Sequence, residues 1–119
     1  MSEAPRLKSA IWVSAYVRRC FVAGLFAATV KKGAEDAGAI FVMIDRLDGT
    51  VRLLGPAPGS SISDDGARRW INETKGFVPR VDALAILARR KRGDPDLWIV
   101  DVEDRSGDAA FAGEEVVAD

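Results

Sequence analysis

The chain has 119 residues, 48% of them hydrophobic and 29% charged, with a formal net charge of −1. That length fits one domain with a real core, and the composition is that of an ordinary globular protein. With no histidine and one cysteine, Cys20, the usual zinc sets, Ser-His-Asp and Cys-His catalysis and any intramolecular disulfide are excluded.

Residues 1–8 form a polar lead-in without a clean apolar run and cleavage site, so no secretory signal is expected. Ser9 is the expected cap of a helix running to about Ala23, with Gly24 as its left-handed stop. Its inward stripe is Val13, Tyr16/Val17, Cys20 and Phe21, with Ser14 and Arg18 on the wetter side. Apolar residues cover most of its circumference, which predicts deep burial. Ala10–Val30 is the most apolar stretch, yet Arg18 and Arg19 in its middle argue against a membrane span. A cytoplasmic protein with a reduced thiol is expected.

Phe26–Lys32 predicts a first strand. Ala39–Leu47 and Thr50–Leu54 predict a hairpin, because Asp48-Gly49 suits a two-residue turn with positive φ at both positions. That register sets Asp45 opposite Arg52, Ile44 opposite Leu53 and Met43 opposite Leu54. Gly55–Ala67 is a long loop rich in Gly, Pro, Ser and Asp. Arg68–Lys75 predicts a weaker, charged strand at a sheet edge. Pro79–Arg92 predicts a second helix whose inward face is Val81, Leu84, Ala85 and Ala88, with Leu87 on its flank, stopped by Gly93. Leu97–Glu103 is a further strand.

Ile40–Ile44 and Leu97–Val100 are apolar at every position, as strands buried on both faces are. The element order α-β-β-β-β-α-β therefore predicts an α/β fold, a three-layer α/β/α sandwich with a mixed sheet; a two-layer α+β fold is the alternative. Residues 1–106 are expected to form the single domain, and 107–119 an acidic, flexible C-terminal tail.

Charge is unevenly placed. Residues 1–93 hold sixteen basic and nine acidic groups, net +7; residues 94–119 hold one basic and nine acidic groups, net −8. Arg89-Arg90-Lys91-Arg92, with Arg18, Arg19, Arg68 and Arg69, is the candidate nucleic-acid-binding set, since a shared basic face would contact phosphates. Against it, cations at a helix C-terminus favour the dipole and sit in solvent, and Asp94 and Asp96 follow as partners.

Asp101 and Glu103 lie two apart on a strand and share a face, an arrangement able to hold magnesium and activate water. The order of elements is reminiscent of a nuclease core, but Thr50-Val51-Arg52 stands where that chemistry wants an acid and a lysine. Gly55-Pro56-Ala57-Pro58-Gly59-Ser60-Ser61 lacks the Gly-Lys-Ser/Thr ending of a phosphate loop, and Asp64-Asp65-Gly66 is too short for a calcium loop. Cys20 lies on the inward stripe with no base beside it. Trp12, Trp70 and Trp98 could stack bases but are expected in the core.

The pieces Arg6-Leu7-Lys8-Ser9, Trp12-Val13, Tyr16-Val17-Arg18-Arg19-Cys20, Ala37-Gly38-Ala39-Ile40-Phe41-Val42, Asp48-Gly49-Thr50, Leu54-Gly55-Pro56-Ala57, Asp94-Pro95-Asp96-Leu97-Trp98 and Val102-Glu103-Asp104-Arg105 follow one another in the chain. Together they resemble a family of small bacterial proteins of unknown function over residues 6–106. The resemblance implies a stand-alone single-domain cytoplasmic protein and brings no activity, substrate or catalytic residue.

The sequence thus leans away from an enzyme and implies no cofactor and no resident metal. A non-catalytic binding or adaptor module is expected, docking a protein partner through the sheet edge or the Gly55–Ala67 loop. The alternative is a nucleic-acid-associated protein using the basic face. A metal-dependent hydrolase built on Asp101 and Glu103 is third.

Overall fold

The computed structural model describes residues 7–58, 68–108 and 115–117. Its elements are α1 (Ser9–Val22), β1 (Phe26–Lys31), β2 (Ile40–Asp45), β3 (Thr50–Pro56), β4 (Arg69–Asn72), β5 (Val78–Pro79), α2 (Arg80–Gly93), β6 (Trp98–Glu103) and β7 (Glu115–Val117). The sheet runs β1-β6-β2-β3-β4-β7, and β5 pairs with β3. β2 with β6 and β4 with β7 are parallel; the remaining pairs are antiparallel. The expected α/β class with a mixed sheet is what the chain adopts. β5 and β7 are additions to the expected order. β7 falls within the segment expected to be a tail; most of that segment, and residues 59–67 of the long loop with Ser60, Ser61 and Asp64-Asp65-Gly66, lie outside the described residues.

The two apolar strands explain the core. Along β2, Ile40, Val42 and Ile44 face α1 and join Trp12, Val13, Tyr16, Cys20, Trp70, Trp98, Val100 and Val102. Phe41 and Met43 point the other way and join Val51, Leu53, Ala83, Leu87, Leu97 and Ile99 beneath α2. Alternation along one strand thus feeds two clusters, which is why β2 shows no polar face over its central residues and β6 none before Asp101.

α1 starts differently from the expectation. Ser9 is the first helical residue, and its hydroxyl donates to the Gly38 carbonyl at 2.6 Å rather than capping the helix. The orphan N–H groups of Ser9 and Ala10 donate instead to the Asp36 and Glu35 carbonyls. The same connection accepts the Trp98 indole N–H on Ala34 O at 2.8 Å, so residues 33–38 tie α1 to β6. Gly24 ends the helix at φ +82°, as expected. Phe21 is not inward: it is 57% exposed and meets Phe26 edge-on. Only one side of α1 is covered by the sheet, so its apolar circumference is not matched by burial all round.

The hairpin register is one residue from that expected. Ile44 pairs with Arg52 and Asp45 with Val51, around a three-residue loop Leu47-Asp48-Gly49 closed by the Arg46 N–H on Thr50 O. Leu47 takes φ +65° and Gly49 φ +92°. Asp45 Oδ1 accepts the Leu47 N–H, and Asp48 Oδ1 accepts both the N–H and the hydroxyl of Thr50. A one-residue slip exchanges faces. It sends Val51 and Leu53 towards α2 and leaves Arg52 Nε donating to Asn72 Oδ1. A leucine in the left-handed region costs about 1 kcal/mol. Leu47→Gly is therefore expected to stabilise the fold by up to about 1 kcal/mol, read as a rise of a few degrees in the thermal midpoint.

α2 also lies differently from the expectation. Ala83 and Leu87 are its buried residues, while Val81 and Leu84 are 68% and 45% exposed and Ala85 and Ala88 face solvent. The helix carries two apolar stripes. The one that packs is flanked by Arg80 and Arg90, both of which find carboxylates on the sheet side.

Candidate binding surfaces

The carboxylates expected to act together are not the ones that meet. Asp101 and Glu103 share a face of β6, but Glu103 is exposed and makes no ion pair among the described residues. Parallel pairing of β2 with β6 instead brings Asp45 and Asp101 to the same end of the sheet, beside the first turn of α2. Arg80 bridges them, Nη1 donating to Asp45 Oδ2 at 3.2 Å and Nη2 to Asp101 Oδ2 at 3.1 Å. A guanidinium thus holds the position between two carboxylates that a divalent ion would take. Among the described residues no group of three or more His, Cys, Asp or Glu side chains is placed to hold a metal ion.

Burial pushes the Asp101 carboxyl above its usual range, Arg80 pulls it back, and Asp45 adds to the rise. Because the folded value is raised, the ionised form costs stability. That cost is absent below the ordinary carboxylate range and enters as the pH climbs through the folded value. Removing Arg80 takes away the opposing charge. Arg80→Ala is expected to destabilise the protein by about 1 kcal/mol at pH 7, a modest figure because Arg80 is exposed. The loss should shrink as the pH falls through the raised Asp101 value towards about pH 4, the ordinary carboxylate range. Thermal unfolding of wild type and variant at the two pH values checks it.

The basic residues fall into separate groups. Arg18 is exposed on α1, and Arg19 is half-buried with its guanidinium 5.6 Å from the Tyr16 ring centre. Arg68 is buried, donating to Leu7 O at 3.0 Å, beside a half-buried Arg69. Arg89, Arg90, Lys91 and Arg92 are exposed on α2, and Arg90 pairs with Glu73 at 2.7 Å. Since α1 and α2 pack on opposite faces of β2, Arg18 and Arg19 do not share a surface with the Arg89–Arg92 run. Lys31 is occupied as well, donating to Pro95 O and Leu97 O.

Cys20 is fully buried, and burial pushes its thiol above the usual range while Tyr16 and Arg19 oppose. A buried protonated thiol is a small hydrophobe, not a nucleophile. Trp12, Trp70 and Trp98 are all 4% exposed or less, so none offers a ring for stacking.

The surface that sequence reasoning missed is the outer side of α1. A shallow depression of about 680 Å³ is lined by Ile11, Ala15, Val22, Ser14, Arg18 and Arg19, together with Ala10. Ile11 is 51% and Val22 84% exposed, and Leu7 just before the helix is 49% exposed. Among the described residues no carboxylate lines it. The signal was present: a helix apolar on both sides has one side too many for a single sheet. A second cleft, about 440 Å³, lies beside α2 over Phe41 and Ile71. The Arg90–Glu73 ion pair is part of its wall, so its charge is internally balanced.

With the fold in place, the wider relationship is direct. The family model described as "Protein of unknown function (DUF1491)" matches residues 7–112. The chain belongs to the DUF1491 family. A DUF1491 family protein from Caulobacter crescentus CB15, known as a crystal structure, is 38% identical, with 93% of this chain and 99% of that one covered and a TM-score of 0.77. The NMR structure of a DUF1491 family protein from the same organism is 37% identical, covers 96% and 99%, and has a TM-score of 0.76. Protein Atu0922 from A. tumefaciens, a solution structure, is 47% identical over 84% of this chain and 87% of that one, with a TM-score of 0.73. No curated protein matches. The resemblance to a family of unknown function is therefore borne out, and DUF1491 membership carries no catalytic or binding role with it. Among the described residues no helix is long and apolar enough to cross a membrane.

Proposed function

We propose that this protein is a non-catalytic binding module that docks an amphipathic helix of a partner protein, apolar on one side and acidic along its rim, on the outer face of α1. The observation that carries the reading is the depression of Ile11, Ala15 and Val22, with the exposed Arg18 at its edge. An apolar strip with the cation of Arg18 at its edge fits carboxylates around a complementary strip. Large exposed apolar patches on small domains mark interaction sites. The chemistry of the rest of the chain agrees: the one thiol is buried, and the paired carboxylates hold an arginine. The cytoplasm is the compartment this reading assigns, where a lone thiol stays reduced.

The test is a titration of the ¹⁵N-labelled protein with two synthetic helical peptides of equal leucine spacing, one rimmed with glutamate and one with lysine. Shift changes at Ile11, Ala15, Arg18 and Val22 with the glutamate peptide alone support the reading. The Ile11→Glu/Val22→Glu variant, altered only at exposed positions, should lose them while keeping its circular dichroism. Equal response to both peptides, or none, overturns it. Mixed-sequence DNA and RNA form the third arm. Arg18 and the Arg89–Arg92 run stand on opposite faces, so only weak binding that disappears with salt is expected.

A further inference from the structure

The outward stripe of α2 has its own charge pattern. Val81, Leu84, Ala85 and Ala88 follow one another at helical spacing and face solvent. Asp82 and Arg89, seven residues apart, lie along one flank of that stripe. Both are exposed, and neither makes an ion pair among the described residues. Residues seven apart on one flank of a helix face the same flank of a partner running antiparallel.

We propose that this stripe binds a second copy of the same chain, as an antiparallel two-fold pair of α2 helices. The two-fold axis passes between the helices near Ala85. Asp82 of each copy then lies against Arg89 of the other, so one surface supplies both halves of the complementarity, as an isologous contact requires. The small side chains of Ala85 and Ala88 allow the helices to approach, and Val81 and Leu84 fill the remaining space. On the other flank Lys91 points towards the partner copy's Arg80. That contact is not repulsive in effect, because Arg80 is turned down to Asp45 and Asp101. A parallel pair would set the two Arg89–Arg92 ends side by side. One helix per copy buries less than the roughly 1,200 Å² of a stable standard interface. The dimer is therefore a weak one, formed at high concentration. It leaves both α1 faces free, since α1 packs on the other side of the sheet, and so would double the valency of the proposed binding module.

Sedimentation equilibrium of the full chain over roughly 5 to 500 µM tests this, that range bracketing the affinity of small interfaces. The weight-average mass should rise from one chain, 12.8 kDa, towards two. Asp82→Arg and Arg89→Asp should each weaken association about tenfold, the equivalent of about 1.4 kcal/mol. The double exchange in one chain should restore it, because the reciprocal pairs re-form with charges swapped. A mass that stays at one chain throughout overturns the proposal. So does a dimer indifferent to both single exchanges, or one abolished by Ile11→Glu, which would place the contact on α1. Loss of peptide binding with the dimer intact would count against the α1 reading alone.

Discussion

Trp70→Ala is expected to cost about 3–5 kcal/mol of folding free energy, the range for removing a buried aromatic and leaving a cavity. Trp70 is 1% exposed on β4, and its ring lies 5.2 Å from that of Trp12, which in turn stacks on Tyr16 at 4.9 Å. The three rings join α1 to the β4 end of the sheet on the face that α1 covers. The cavity cannot collapse easily, because β4 is held by its pairing with both β3 and β7. Urea unfolding followed by far-ultraviolet circular dichroism measures the loss without relying on the deleted fluorophore. Ile11→Ala, on the exposed side of α1, should change stability by less than about 0.5 kcal/mol in the same assay.

Gly33→Ala is the second large effect, expected at about 3 kcal/mol. A Cβ there would stand 2.1 Å from Asp96 O and 2.6 Å from the Leu97 carbonyl carbon. Both obstacles are backbone, so relief requires the 33–38 connection to lift away from the turn before β6. That movement stretches the hydrogen bonds from Ala34 N to Asp96 O and from the Trp98 indole to Ala34 O. The backbone at Gly33 is not left-handed, so the loss comes from space alone. Gly93→Ala is the control: nothing lies near its added methyl, and the position is helical. It should stabilise by up to about 1 kcal/mol, since glycine is a poor helix former. A similar loss from both substitutions would contradict the steric account.

Much of the fold was legible. Unbroken apolar runs at Ile40–Ile44 and Leu97–Val100 marked strands covered on both faces, and Gly24 marked a helix end. What was not legible was decided by partners distant in sequence. The Asp48-Gly49 pair suggested a two-residue turn, yet a hydrogen bond from the Leu47 N–H to Asp45 Oδ1 supports Leu47 in the left-handed region and lengthens the loop. In α2, Val81/Leu84/Ala85/Ala88 and Ala83/Ile86/Leu87 are rival stripes. The choice is made by partners distant in sequence: Ala83 and Leu87 meet Phe41, Met43, Val51 and Leu53, and Arg80 and Arg90 meet Asp45, Asp101 and Glu73 on the same side. The site suffered most, because a list of arginines carries no direction. Arg68 became an interior donor, Arg80 a bridge between carboxylates, and Arg18 and Arg89 parted to opposite faces.

The place of β6 between β1 and β2 has a kinetic meaning. Phe26 pairs with Glu103 and Ile40 with Trp98, across β3, β4, β5 and α2 in the chain. The β2–β3 hairpin can close as soon as it is made, but β1 has no neighbour until residues 98–103 arrive. Such distant pairing, part of it parallel, places folding among the slower small domains, in the millisecond-to-second range rather than microseconds. Until then Ala27 and the inner side of α1 lack the part of their cover that Trp98, Val100 and Val102 supply. A newly made chain thus carries a half-built core and an unpaired β1 edge through most of its own synthesis, a stage at which aggregation competes with folding.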